Sequence, residues 1–149
     1  GSLEAPMLAG FALALPPRAL LRPAPGRALL VLGSDVEEGA TLRAAAAGFG
    51  LVTDPADPRR RVIACPGLPA CASAEAETRT LAAALAALPS LPGTVHVSGC
   101  AKGCAHPGPA AITLVGRDGG FGLVRAGGPR DLPACHLAPG EVAAAIRDR

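Results

Sequence analysis

Four of the five cysteines in this 149-residue chain fall into two local pairs, Cys65-x5-Cys71 and, 28 residues later, Cys100-x3-Cys104. Each pair follows a short apolar run that reads as a strand, Arg61 to Ala64 before the first and Thr94 to Val97 before the second. Two strands that each end on a cysteine loop bring four thiolates to one place. Structural zinc sites use pairs about two to four residues apart, because a tight knuckle closes on one small tetrahedral ion, and the first pair here is too widely spaced for that. A cubane of four irons and four sulfides is larger, and each iron takes its own cysteine, so wider and unequal loops suit it. Pro66, Gly67, Pro69, Gly99, Gly103, Pro107, Gly108 and Pro109 punctuate the loops, fixing the backbone or letting its amides approach sulfur. Zinc and buried structural thiols are the plainer readings of the same four residues; spacing and loop chemistry together favour an iron-sulfur (4Fe-4S) cluster.

The rest of the chain narrows the class. Half of the residues are apolar but only 2% are aromatic, with no Trp or Tyr, and the formal net charge is +2. Without a basic stripe interleaved with aromatics there is little support for nucleic-acid binding. No apolar stretch approaches the roughly 20 residues that span a bilayer, so no membrane role is expected. An odd number of cysteines, four of them in tight pairs, argues for metal in a reducing compartment over a secreted disulfide framework, and hence for a cytoplasmic protein. Gly1-Ser2 reads as a cleavage scar from an expression tag and is set aside.

In order, "GFALALP" reads as a strand, "PPRALLRPAPG" as a connection of fixed turns, and Ala28 to Leu32 as a buried strand. Ser34 and Glu37 form a capping box opening a helix through Leu42, Ala45, Ala46 and Phe49, ended by Gly48 and Gly50. After the strand to Ala64, a helix from Ala74 to Leu88 is expected to start just after Cys71 at Ser73, with Glu75 and Glu77 in its first turn and its positive end toward the cluster. Leu81, Leu85 and Leu88 share one face, and Pro89 and Pro92 stop it. Ala111 to Val115 and Phe121 to Arg125 flank an Asp118-Gly119 hairpin turn, and Pro139 to Ile146 reads as a final helix. The fold class is α/β (α+β), a mixed sheet with helices on it.

The wording around the cysteines carries a resemblance. "DPRRRVIACPGLPACASAEAETRTLAAALA" and "HVSGCAKGCAHPGPAAITLVGRDGGFGLVRAG" resemble the precorrin-3B synthase branch of the sirohaem nitrite and sulfite reductase superfamily. The resemblance implies a 4Fe-4S domain of that superfamily over residues 57–149, preceded by part of a ferredoxin-like half-domain and linker over 3–56. It implies a parent oxidoreductase of cobalamin biosynthesis that hydroxylates precorrin-3A with oxygen and closes a lactone. The tetrapyrrole would be its substrate, and a separate, unnamed electron donor its source of reducing power. The alternatives are a nitrite or sulfite reductase, with sirohaem in the same pocket, and a non-enzymatic iron-sulfur or zinc module. The superfamily builds its active site between two pseudo-symmetric halves, so the missing N-terminal half of the parent is an implied partner and the chain alone is expected to bind a cluster without turning over substrate.

By resemblance, Cys104 is the ligand nearest the tetrapyrrole. Lys102, the only lysine, reads either as a balance to cluster or macrocycle charge or as a solvated tip. The reductases often carry Pro-Asn where this chain has Ala101-Lys102, which favours the synthase branch. His106 could bond the cluster, meet a macrocycle carboxylate, or pack; for it and for His96, which alternates with Val95 and Val97, structural roles lead. Cys135 reads as an incidental thiol, His136 has no supporting context, and Arg59 to Arg61 read as a solvated edge.

Overall fold

Eight residues from Ala110 to Arg117 and eight from Gly120 to Gly127, joined at Asp118-Gly119, pair antiparallel in register and form the middle of the larger sheet. The turn suits its residues, since Asp118 and Gly119 both take positive φ, 50° and 75°. The computed structural model describes residues 3–147. It divides at Asp57/Pro58 into two compact units.

The second unit holds a five-stranded sheet in sequential order: β3 (Val62–Ala64), β4 (Val95–Ser98), β5 (Ala110–Arg117), β6 (Gly120–Gly127) and β7 (Cys135–Leu137). β3, β4 and β5 run parallel to one another, β6 is antiparallel to β5, and β7 is antiparallel to β6. Parallel neighbours need a crossover, and α3 (Arg79–Ala86) supplies the one between β3 and β4. Val95, Val97, Ile112, Leu114, Phe121 and Leu123 meet Leu85 and Ala86 of α3 and Val142 and Ile146 at the C-terminal end, making the main core. Along the other face, His96, Thr113 and Val124 lie side by side in register, all buried.

The first unit packs less tightly. α1 (Ala5–Leu13), the hairpin of β1 (Leu20–Ala24) and β2 (Ala28–Leu32), and α2 (Glu38–Gly48) follow one another, with Phe11 of α1 against Phe49 at a ring separation of 6.0 Å. No helix among the described residues is long and apolar enough to cross a membrane.

The order strand-helix-strand-loop-hairpin-helix expected beyond Asp57 is present, and Ala28–Leu32 is a strand as read. Several expectations need correction. The strand read in "GFALALP" is instead the end of α1 as far as Leu13, followed by its C-cap: its alternation sets leucine against alanine, not against polar residues, and Pro6 sits in the first turn, where its missing N–H costs nothing. The connection that follows contains β1, paired with β2 despite Pro23. The capping pair of α2 is Asp35 with Glu38, each carboxylate accepting from the other's backbone N–H at 2.9 and 3.1 Å, one residue beyond the Ser34–Glu37 reading. The final helix is a 3-10 turn, Pro139–Glu141, leading into α4 (Val142–Ala145), and β7 was not foreseen. The largest correction is α3, which starts at Arg79 instead of Ser73. The Glu75 N–H donates to Gly99 O at 2.7 Å and Ala76 O accepts from the Leu68 N–H at 3.1 Å, so the groups that would start the helix are spent on neighbouring loops. Glu75 and Glu77 are therefore not in a first helical turn, and no helix terminus stands immediately after Cys71. The Gly1-Ser2 reading lies outside the described residues.

Candidate metal centre

β3 ends at Ala64 and β4 at Ser98, and because the two are adjacent and parallel, the loops that leave them emerge at the same end of the sheet. Cys65 is the first residue of one loop, and Cys100 lies two residues beyond β4 in the other. The pairing continues into the loops: Cys65 N–H donates to Val97 O at 3.3 Å.

The first loop is closed from behind. Thr78, fully buried, donates its hydroxyl to Cys65 O at 2.6 Å. Gly67 has φ 63°, and a Cβ there would run into the Thr78 hydroxyl, so the turn requires glycine on both counts. Beyond a cis Leu68-Pro69 peptide, Cys71 N–H returns to Gly67 O at 2.9 Å.

The second loop is bonded to the first at three points. The Gly99 N–H donates to the Cys65 sulfur at 3.1 Å, Gly99 O accepts from the Glu75 N–H, and Lys102 Nζ donates to Ser73 Oγ at 2.8 Å. A Cβ on Gly99 would lie 2.8 Å from that of Ala74, which is how closely the two backbones approach. Ser98 Oγ donates to Cys100 O at 2.7 Å and holds the exit from β4.

Cys65, Cys71 and Cys100 are half-buried, Cys104 is exposed, and none forms a disulfide. Among the described residues no three Cys, His, Asp or Glu side chains are close enough to share a single metal ion. The four thiols sit on two cross-bonded loops at one end of the sheet. The amide aimed at the Cys65 sulfur is the donor a sulfur-ligated cluster uses.

The other singled-out residues are placed as follows. Lys102 is exposed and ties the loops together at their rim. His106 Nε2 lies 3.1 Å from Pro109 O, and its ring stands edge-on to His96, 5.6 Å between centroids at 78°. With Thr94, Pro109, Ala110, Ala111 and Ala126 it lines an open recess of about 480 Å³. His96 is fully buried and neither ring nitrogen has a partner; burial, and then the neighbouring His106, lower its pKa from 6.5 to about 4. His136, which had no context in sequence, bonds Arg117 O across the hairpin end at 2.8 Å, over Gly120. Cys135, exposed on β7, lies in neither cysteine loop. Arg59 to Arg61 lie in an exposed 3-10 turn before β3. Sequence reasoning missed Thr78 and Ser98, whose hydroxyls fix the loop carbonyls; a threonine 13 residues beyond Cys65 carries no local signal of that bond.

No family model matches the chain. Over 120 residues it is 44% identical to precorrin-3B synthase of Sinorhizobium sp., a match that takes in 78% of this chain and 26% of that protein. Among solved structures it resembles the NirA protein of Mycobacterium tuberculosis, with a TM-score of 0.66 and 27% identity over 85% of this chain and 28% of NirA. The chain thus spans about a quarter of the length of each. In sequence the chain is thus similar to a precorrin-3B synthase and in fold to NirA, in each case over part of the relative's length.

Proposed function

We propose that the chain provides the iron-sulfur centre of a precorrin-3B synthase-type oxidoreductase of cobalamin biosynthesis, holding a 4Fe-4S cluster through Cys65, Cys71, Cys100 and Cys104. The observation that carries this reading is the 44% identity to precorrin-3B synthase over 120 residues of a chain whose two cysteine pairs lie on cross-bonded loops. The likeness to NirA, at 27% identity, lends less to the reductase reading with sirohaem.

When bound, such a cluster supplies one-electron transfer. The chain's own part is to hold and tune it. Gly99 N–H withdraws charge from the Cys65 sulfur. The hydroxyls of Thr78 and Ser98 fix the loop carbonyls, so each cysteine is presented from a set backbone position. Lys102 closes the rim on Ser73 and places one positive charge beside thiolates that are negative when they ligate.

In this reading the substrate is the tetrapyrrole precorrin-3A, hydroxylated with oxygen and closed to a lactone. Cys104, Lys102 and His106 belong to the loop nearest the macrocycle, and residues 3–56 are part of a ferredoxin-like half-domain. The remainder of a full-length enzyme completes the site, a separate donor supplies electrons, and the five unbridged cysteines suit the cytoplasm.

The test is iron and acid-labile sulfide content, with visible and electron paramagnetic resonance spectra, after anaerobic reconstitution. About four irons per chain, lost in both Cys65→Ala and Cys100→Ala, sustain the reading. Zinc in their place, or iron that binds regardless of the two substitutions, overturns it.

A further inference from the structure

We infer that His96 is a positioning residue for Cys104: through its contact with His106, the buried imidazole sets where the Cys100–Pro109 loop rests on the sheet. The four thiols are not held alike. Cys65 is bonded at its amide, its carbonyl and its sulfur, Cys71 at its amide and its carbonyl, and Cys100 at its carbonyl. Cys104 is exposed and makes no hydrogen bond among the described residues. Its position depends on what anchors the rest of its loop.

Ahead of Cys104 the loop is held by Lys102 on Ser73, and beyond it by His106. The His106 N–H donates to Gly103 O at 3.1 Å, and its ring lies 3.1 Å from Pro109 O. A carbonyl only accepts, so Nε2 carries the hydrogen, and His106 ties the Gly103–Pro109 segment at both ends, by its backbone to Gly103 and by its ring to Pro109. The His106 ring also meets His96, edge to face at 5.6 Å. His96 belongs to β4, in a row with Thr113 and Val124, and is 0% exposed. A leucine would fill that row without burying two unpartnered nitrogens. What an imidazole adds is a flat ring whose edge or face engages a second ring. The consequence for iron rests on Cys104 being a ligand, as proposed above; the position of the loop does not.

Amide hydrogen exchange on the chain without iron tests this. In His96→Ala, amides between Cys100 and Gly108 are expected to exchange roughly 2- to 13-fold faster, the factor corresponding to loss of one edge-to-face ring contact. Amides between Leu68 and Ala76 stay at the wild-type rate, and His96→Phe restores the slower exchange. His106→Ala, which opens no core cavity, gives the same loop-selective acceleration and decides the matter if His96→Ala fails to fold. Equal acceleration in both loops, no acceleration, or a His96→Phe variant that behaves like His96→Ala overturns the inference. After reconstitution, faster iron loss from His106→Ala extends it to the cluster. A wild-type chain that binds no iron sinks the functional proposal and leaves the exchange result standing.

Discussion

The same histidine makes stability depend on pH in a way that can be measured against a control. His96 is buried without a partner for either nitrogen, so the folded state favours its neutral ring, and its pKa falls from 6.5 to about 4, by burial first and the charge of His106 second. The unfolded chain binds the proton at the ordinary value. Folded stability is therefore intact above pH 6.5, declines as pH drops below it, and levels off below about 4. At pH 4.5 the loss relative to pH 7 is about 2 kcal/mol from this residue alone. Carboxylates add a background shared by every variant, so the comparison is wild type against His96→Phe, which keeps a ring and removes the titration. With no Trp or Tyr, urea unfolding is best followed by far-ultraviolet circular dichroism. His96→Phe is expected to lose about 2 kcal/mol less than wild type between pH 7 and pH 4.5. Parallel pH dependences would refute the reasoning and would mean that water or another group satisfies the ring.

Thr78→Val keeps the shape but removes the hydroxyl that reaches Cys65 O; because both groups are shielded, unfolding free energy should drop by about 1 to 3 kcal/mol in the same urea assay. Cys135→Ser should leave the iron content of reconstituted protein unchanged, since this thiol is exposed on β7 and lies in neither cysteine loop; a fall in iron would make it a ligand.

How much could be read in advance follows from the range of the interactions involved. The hairpin around Asp118-Gly119 was legible because turn chemistry and flanking apolar runs are local and agree. So was the position of both cysteine pairs, each just past a strand, because Val-Ile-Ala and Val-His-Val announce themselves within four residues. The start of α3 was not legible. Ser73 to Thr78 has helix-start composition, yet the Glu75 amide is taken by Gly99 and the Thr78 hydroxyl by Cys65, partners fixed only once β3 and β4 lie together. β7, three residues between prolines, is too short to show a period. The alternation of "GFALALP" misled because alanine marks neither an inside nor an outside face. For His96, sequence indicated a side chain opposite Val95 and Val97 but not that this second face is also buried, which depends on the loops that cover it.

The double use of Gly99 bears on transplantation. One residue donates its N–H to a sulfur 34 positions earlier and accepts at its carbonyl from Glu75, so a single peptide segment joins both halves of the site. A host scaffold given only the Cys100 loop would inherit an amide and a carbonyl with nothing to meet; given only the Cys65 loop, it would lose the donor on sulfur. The smallest portable unit is accordingly two neighbouring parallel strands with both their exits, and a design that copies the four cysteines at their spacing without that pair of strands copies the thiols but not what holds them.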